Sequence, residues 1–227
     1  MTLQRGSAQL TGAATQRRRL AILALLAVAG ERGMSRDKLV GYLWPETDTK
    51  RARHVLNQLV YAQRQQFGPD DLLAGRKTLR LNDRVIWTDV GEFDQALTQG
   101  DDERAVALYA GPFLDGFFLE GSPEFEEWVD AQRRRLGRGC IEAVRRLAER
   151  AGANGHVQDR VKWWRRAVDL EPLEAGSVIS LVEALAAAGQ RIAALQEARH
   201  YEERLQRELG VPVEPRLREL MSQLMNR

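Results

Sequence analysis

The stretch Thr49-Lys50-Arg51-Ala52-Arg53-His54-Val55-Leu56-Asn57-Gln58-Leu59-Val60-Tyr61-Ala62-Gln63-Arg64-Gln65-Gln66-Phe67 decides how this chain is read. Ala52, Val55, Leu56, Leu59 and Phe67 recur at helical spacing and predict a core-facing stripe. Between them lie Lys50, Arg51, Arg53, His54, Asn57, Gln58, Tyr61 and Arg64, a polar face of the kind that reads duplex DNA. Arg pairs bidentately with guanine, Asn and Gln with adenine, and Lys, Tyr or His can hold phosphates. Thr47-Asp48 supplies capping side chains at the start, and Gly68-Pro69 ends the run. Taken alone, the helix could equally be a solvated basic face; its neighbours argue for the sharper reading.

Upstream, Gln16 to Ala29 reads as a Leu- and Ala-rich helix stopped by Gly30. Ser35 is a good N-cap, flanked by Met34 and Leu39 as a hydrophobic staple, for a helix that stops at Trp44-Pro45. Before these, residues 1–12 offer two short strands, around Leu3 and Ala8–Leu10, broken by Gly6 and Gly12. Downstream, Leu72-Leu73, Gly75-Arg76-Lys77 and Leu79-x-Leu81 read as a hairpin with a basic tip, and Val85-x-Trp87 adds a strand. Three helices and a basic hairpin, in that order, predict a winged helix-turn-helix over residues 1–88. Arg36, Arg76 and Lys77 would then grip phosphates on either side of the reading helix.

From Val90 onward the pattern is helical, with segments at 93–97, 103–109, 125–151, 156–170, 173–188, 191–209 and 215–225. Gly155 and Gly189 each precede a helix and lie 34 residues apart, as do Leu147 and Leu181. Paired helices at that period are the mark of tetratricopeptide-like repeats. The predicted fold is therefore mostly α, with a winged helix-turn-helix at 1–88 and a helical-repeat domain at 89–227. A fragment ending near Asp94 is expected to fold alone.

Charge divides along the same line. Residues 1–88 hold fifteen Lys and Arg against seven Asp and Glu, net +8; the remainder holds nineteen against twenty-five, net −6. A basic head on an acidic body points to a polyanion partner for the head. The single Cys140 cannot form an internal disulfide, which suits a reducing cytoplasm, and it reads as an inert packed thiol. Arg17-Arg18-Arg19 followed by Leu20–Ala29 has the layout of a secretory signal. The run is too short to span a bilayer, and the amphipathic helix that follows favours a buried core helix with no membrane role.

Enzyme chemistry finds no support. His54, His156 and His200 stand apart, with neither a partner at metal-ligand spacing nor a second cysteine, so no metal or cofactor is expected. No G-x-S-x-G elbow or G-x-x-x-x-G-K-[ST] phosphate loop occurs. Asp101-Asp102-Glu103 reads as a helix start, where acidic side chains face the positive end of the dipole. Trp163 and Trp164 point to opposite sides of one helix and read as core. Trp128 is expected to anchor the loop 110–122 to the repeats.

Arg51–Tyr61, Arg17–Leu26 and Ser35–Leu39 with Leu43-Trp44-Pro45 together resemble the DNA-binding domain of the antibiotic-regulatory, SARP-like bacterial activators. Asp89-Val90-x-x-Phe93, Tyr109-x-Gly111-Pro112-Phe113-Leu114-Asp115-Gly116 and Glu127-Trp128-Val129-Asp130-x-x-Arg133 resemble the bacterial transcriptional activator domain that follows it. The resemblance implies an activator that binds double-stranded promoter DNA, contacts RNA polymerase and acts as a homodimer on DNA. Where relatives carry a basic end to the reading helix, this chain has Ala62-Gln63-Arg64-Gln65-Gln66, which implies fewer phosphate contacts. Two other readings stay open: a protein-interaction scaffold that has lost DNA, and a small-molecule sensor using the repeats.

Overall fold

The computed structural model describes residues 3–5, 8–9, 17–67 and 72–226. The expected breaks at Gly6, Gly12 and Gly68-Pro69, with Leu10 and Gln16, lie outside the described residues. Spatially the chain forms two compact units, Met1–Leu136 and Gly137–Arg227. The dividing point falls inside one long helix, α6 (Pro123–Ala153), and so differs from the sequence division at 88/89.

In the first unit, α1 (Arg17–Ala29) is apolar on every side after its basic start, and Ala21–Leu26 are completely buried. A helix without a polar face can only be a core element, so the signal-like run is the centre of this unit. A 3-10 turn at Gly30–Arg32 leads into β3 (Met34–Ser35) and α2 (Arg36–Leu43). Ser35 Oγ accepts from the Lys38 amide, as the capping pattern requires. Helix α3 (Thr49–Phe67) starts where Asp48 Oδ1 accepts from the amides of Lys50 and Arg51.

The hairpin of β4 (Leu73–Ala74) and β5 (Thr78–Leu81) pairs antiparallel, and β3 joins the other edge of β5, giving the order β3-β5-β4. The turn depends on Gly75, whose φ of 91° lies in glycine territory and whose missing Cβ would meet the Thr78 carbonyl oxygen. Strands β1 (Leu3–Arg5), β2 (Ala8–Gln9) and β6 (Trp87–Thr88) form a second small sheet in the order β2-β1-β6.

Packing continues past residue 88. Thr88 caps α4 (Asp89–Gln99), which lies against α1, and Asp101 caps α5 (Asp102–Leu108). The Asp101-Asp102-Glu103 run is thus a helix start. The loop after α5 reaches back to the first two helices: Arg17 donates to the Phe118 carbonyl, and Ser122 Oγ donates to the Leu43 carbonyl. Arg133 on α6 pins this loop by donating to the carbonyls of Phe113 and Leu114, both at 2.9 Å. Trp128 corrects an expectation. Its ring packs against Phe113, Phe125 and Tyr42 of α2, so within this unit it ties the loop to the helix-turn-helix.

The second unit contains the end of α6 with α7 (Val157–Leu170), α8 (Ala175–Ala187), α9 (Arg191–Leu209) and α10 (Pro215–Asn226). From α7 onward, successive helices pack as neighbours, and the small residues Ala184, Ala194 and Ala198 on α8 and α9 are fully buried. Gly155 and Gly189 occupy equivalent left-handed positions before α7 and α9 (φ 72° and 73°), so the 34-residue period is a structural repeat. Trp164 is core while Trp163 is half-buried beneath Lys162, so only one of the pair is fully packed. Cys140 is buried, and burial pushes its thiol up to about 11. At neutral pH it therefore stays protonated and unreactive.

Glu174 caps α8, accepting from the amides of Gly176 and Ser177, and Arg145 of α6 donates to its carboxylate at 3.0 Å. Burial pushes the Glu174 carboxyl up, yet the bonds from Ser177 and Gly176 and the charge of Arg145 outweigh it and hold the carboxyl below its usual value.

Two outcomes follow from this packing. A fragment ending at Asp94 loses the Phe118 carbonyl, Ser122 and Trp128, so it should melt well below a fragment ending at Leu136; equal melting temperatures would show that the core closes at residue 88. Because the Glu174 carboxyl is depressed in the fold, its contribution is complete above the ordinary glutamate range and lost as pH falls through the folded value. Glu174→Ala should cost about 1 kcal/mol at pH 7 and less at pH 3, read by denaturant melts at both values.

Candidate nucleic-acid interface

Side-chain spacing on α3 sorts its residues into two faces. Ala52, Leu56, Val60 and Gln63 are buried, and opposite them Lys50, Arg53, His54, Asn57, Gln58 and Tyr61 form one exposed stripe at three- and four-residue steps. Arg51 is exposed beside the stripe. Two details differ from the sequence reading. Val55 and Leu59 are only half-buried, and Gln63, placed in the polar end, is 1% exposed on the core side. The side chain of Phe67 lies outside the described residues. Among the described residues Gln63 Nε2 and Oε1 find no hydrogen-bond partner. The helical period through 52, 56, 60 and 63 carries that signal, and polarity hid it.

The wing tip, Gly75-Arg76-Lys77, is fully exposed, and its carbonyls are engaged from both helices. Arg36 Nε donates to the Arg76 carbonyl at 2.7 Å, and the Arg36 amide donates to the Lys77 carbonyl at 3.3 Å. Arg64 donates to the carbonyls of Leu73 and Gly75, both at 3.2 Å. The same Arg36 guanidinium donates to Asn57 Oδ1 at 2.8 Å, linking wing, α2 and α3 through one side chain. Arg36 and Arg64 are half-buried rather than fully exposed. Burial first, then the charge of Arg64, pull the Arg36 guanidinium below its usual value. Two like charges held together beside Arg76 and Lys77 make this base of the wing a place where an anion is favoured.

Further along the stripe, Arg53 donates through Nε (2.9 Å) and pairs through Nη2 (2.8 Å) with the same oxygen of Asp37. His54 Nε2 and Gln58 Nε2 lie 2.9 Å apart. Lys50, Arg76 and Lys77 reach solvent at the two ends of the surface. All eleven candidate residues therefore belong to one region, built from α2, α3 and the wing, and they divide into outward groups and ties. Asp37 was missed at the sequence level because it reads as a helix-start acid, and only the turn between α2 and α3 brings it to Arg53. Two cations of the basic triplet are engaged elsewhere: Arg17 stacks over Phe117 and Arg18 over Trp44.

Among the described residues no group of three or more His, Cys, Asp or Glu side chains is arranged to hold a metal ion. No described helix is long and apolar enough to cross a membrane.

The bacterial transcriptional activator domain model matches residues 88–225. No curated protein matches in sequence. Among solved structures the chain is similar to Mycobacterium tuberculosis EmbR in complex with a low affinity phosphopeptide, with a TM-score of 0.61 at 22% identity. That match covers 95% of this chain but 60% of EmbR, so this chain spans well under two thirds of EmbR's length. The likeness carries the fold, and the family match extends over more than half of the sequence. With a winged helix-turn-helix ahead of helical repeats, this SARP-like chain belongs to the bacterial transcriptional activator domain family.

Proposed function

We propose that the chain is a sequence-specific transcriptional activator whose helix α3 enters the major groove of promoter DNA. Residues 1–88 are the reader, and residues 89–227 contact RNA polymerase and a second copy of the chain on DNA. The action is regulatory and non-catalytic, and its setting is the bacterial cytoplasm. One observation carries the reading: the exposed stripe Lys50, Arg53, His54, Asn57, Gln58 and Tyr61 runs along a single helix beside an exposed basic wing tip. That spacing matches what a groove requires, with base-reading amides and guanidinium groups between phosphate-binding ends. The region's excess of Lys and Arg supplies the sequence-independent part of the attraction.

The two parts separate by mutation. Lys77→Ala removes an exposed charge at the wing and should weaken binding to all duplexes alike, lowering the log–log salt slope by ~0.9. Asn57→Ala should leave that slope unchanged and cost ~1–3 kcal/mol of preference between cognate and altered sites. A pair of chains on tandem half-sites about one helical turn (~10–11 bp) apart should outbind one chain on one half-site. Gel shifts at several salt concentrations measure all three. Equal, salt-insensitive affinity for wild type and both variants would remove DNA as the ligand and favour the scaffold reading.

A further inference from the structure

Within the DNA-facing stripe, Arg53 pairs with an acidic side chain of α2, Asp37. Asp37 stands in the first turn of α2 with its side chain 69% exposed, and Arg53 on α3 is 52% exposed. Both Arg53 nitrogens that meet Asp37, Nε and Nη2, converge on the single oxygen Oδ1. A guanidinium has five N–H donors in a fixed plane, so this contact uses its Nε side and leaves the Nη1–Nη2 edge to donate elsewhere. That edge is a geometry that meets guanine O6 and N7 with two parallel hydrogen bonds.

We propose that Asp37 makes Arg53 a guanine reader by holding its planar edge and cancelling its charge toward phosphates. An exposed ion pair of this kind adds little to fold stability, and the first turn of α2 favours an acid there only modestly through the helix dipole, so the pairing with Arg53 is more than the fold requires. The carboxylate's cost is electrostatic, since DNA repels it, and its return is discrimination. On random sequence the Asp37–Arg53 pair is neutral and adds nothing to phosphate attraction. On a correctly placed guanine the oriented edge adds two hydrogen bonds at no cost in ordering the side chain. Asp37 is thus a specificity-determining, positioning residue. The cations next in position, Lys50 one turn earlier on α3 and Arg36 beside Asp37 on α2, do not substitute for Arg53: Lys50 lacks a fork, and Arg36 is engaged with Asn57 and the wing.

This inference rests on the DNA-binding reading, and its test separates the two. The full-length chain is used to select a duplex from a randomised pool, and affinities for that duplex and a random-sequence duplex are followed across salt. For Asp37→Asn one further counterion released steepens the slope by ~0.9, raising affinity for the random duplex close to tenfold at 0.1 M salt. Affinity for the selected duplex should rise far less, so the specificity ratio falls. Replacing guanines of the selected duplex by 7-deazaguanine, which lacks the N7 acceptor, should weaken the wild type and leave Arg53→Ala unaffected at one position. Arg53→Lys keeps the charge without the planar fork, and should weaken guanine preference with an unchanged salt slope; this variant decides the matter if Asp37→Asn is poorly folded. If the wild type binds DNA but Asp37→Asn matches it in slope and ratio, or Arg53→Lys keeps the guanine preference undiminished, the role of Asp37 is overturned and DNA binding stands. If no protein binds either duplex at any salt, the DNA-binding reading falls and this inference with it.

Discussion

The candidate reading surface depends on the capture of the wing's backbone carbonyls by two arginines. A hairpin with a two-residue first strand is marginal by itself, since its few ladder bonds do not offset the entropy of ordering it. Here Arg36 takes the Arg76 carbonyl and Arg64 takes those of Leu73 and Gly75, while β3 extends the ladder along β5. The guanidinium that holds the wing also holds Asn57 on α3. Wing and α3 are therefore tied to each other by side chains of the protein itself, an arrangement that lowers the ordering cost any ligand of this surface would meet. Asn57, with its oxygen given to Arg36, offers its amide NH2 as the donor for an outside partner.

Beneath this surface, α1 sets a second constraint. Because Ala21–Leu26 are buried all round, the helix needs partners on every side, and α2, β5 and α4 supply them. The requirement explains why the first compact unit runs on through α4, α5 and the loop pinned by Arg133 to the start of α6. A family boundary near 88 and a spatial boundary near 136 record different things, sequence ancestry and shared core. The aromatic contact of Tyr42 with Trp128 joins that shared core to α2, the helix that also carries Arg36 of the candidate interface.

Much of this was legible in the sequence because it depends on local physics. Ser35 and Asp48 cap helices through their own side chains, Pro45 and Gly75 constrain the backbone where they stand, and the 34-residue spacing of Gly155 and Gly189 repeats a left-handed turn. What escaped was non-local or masked by residue type. Arg36 and Arg64 read as solvent-facing cations, yet their stems run over the fold and their heads meet backbone 40 and about ten residues away. Asp37 finds Arg53 only across the turn between two helices. Gln63 sits on the core period but carries an amide, so composition assigned it to the wrong face. Trp128 was rightly seen as an anchor, but its neighbour Tyr42 comes from the helix-turn-helix.

The most direct test of the account is the backbone order of the wing in solution when Arg36 loses its guanidinium. Arg36→Met keeps an unbranched apolar stem and removes every donor to the Arg76 carbonyl and to Asn57. Amide relaxation of ¹⁵N-labelled protein should give order parameters for Gly75–Lys77 near the rigid value of ~0.85 in the wild type and below ~0.6 in the variant, with α1 and α2 unchanged. A wing equally ordered in both proteins, or already mobile in the wild type, would contradict the claim that this arginine fixes the wing to α3.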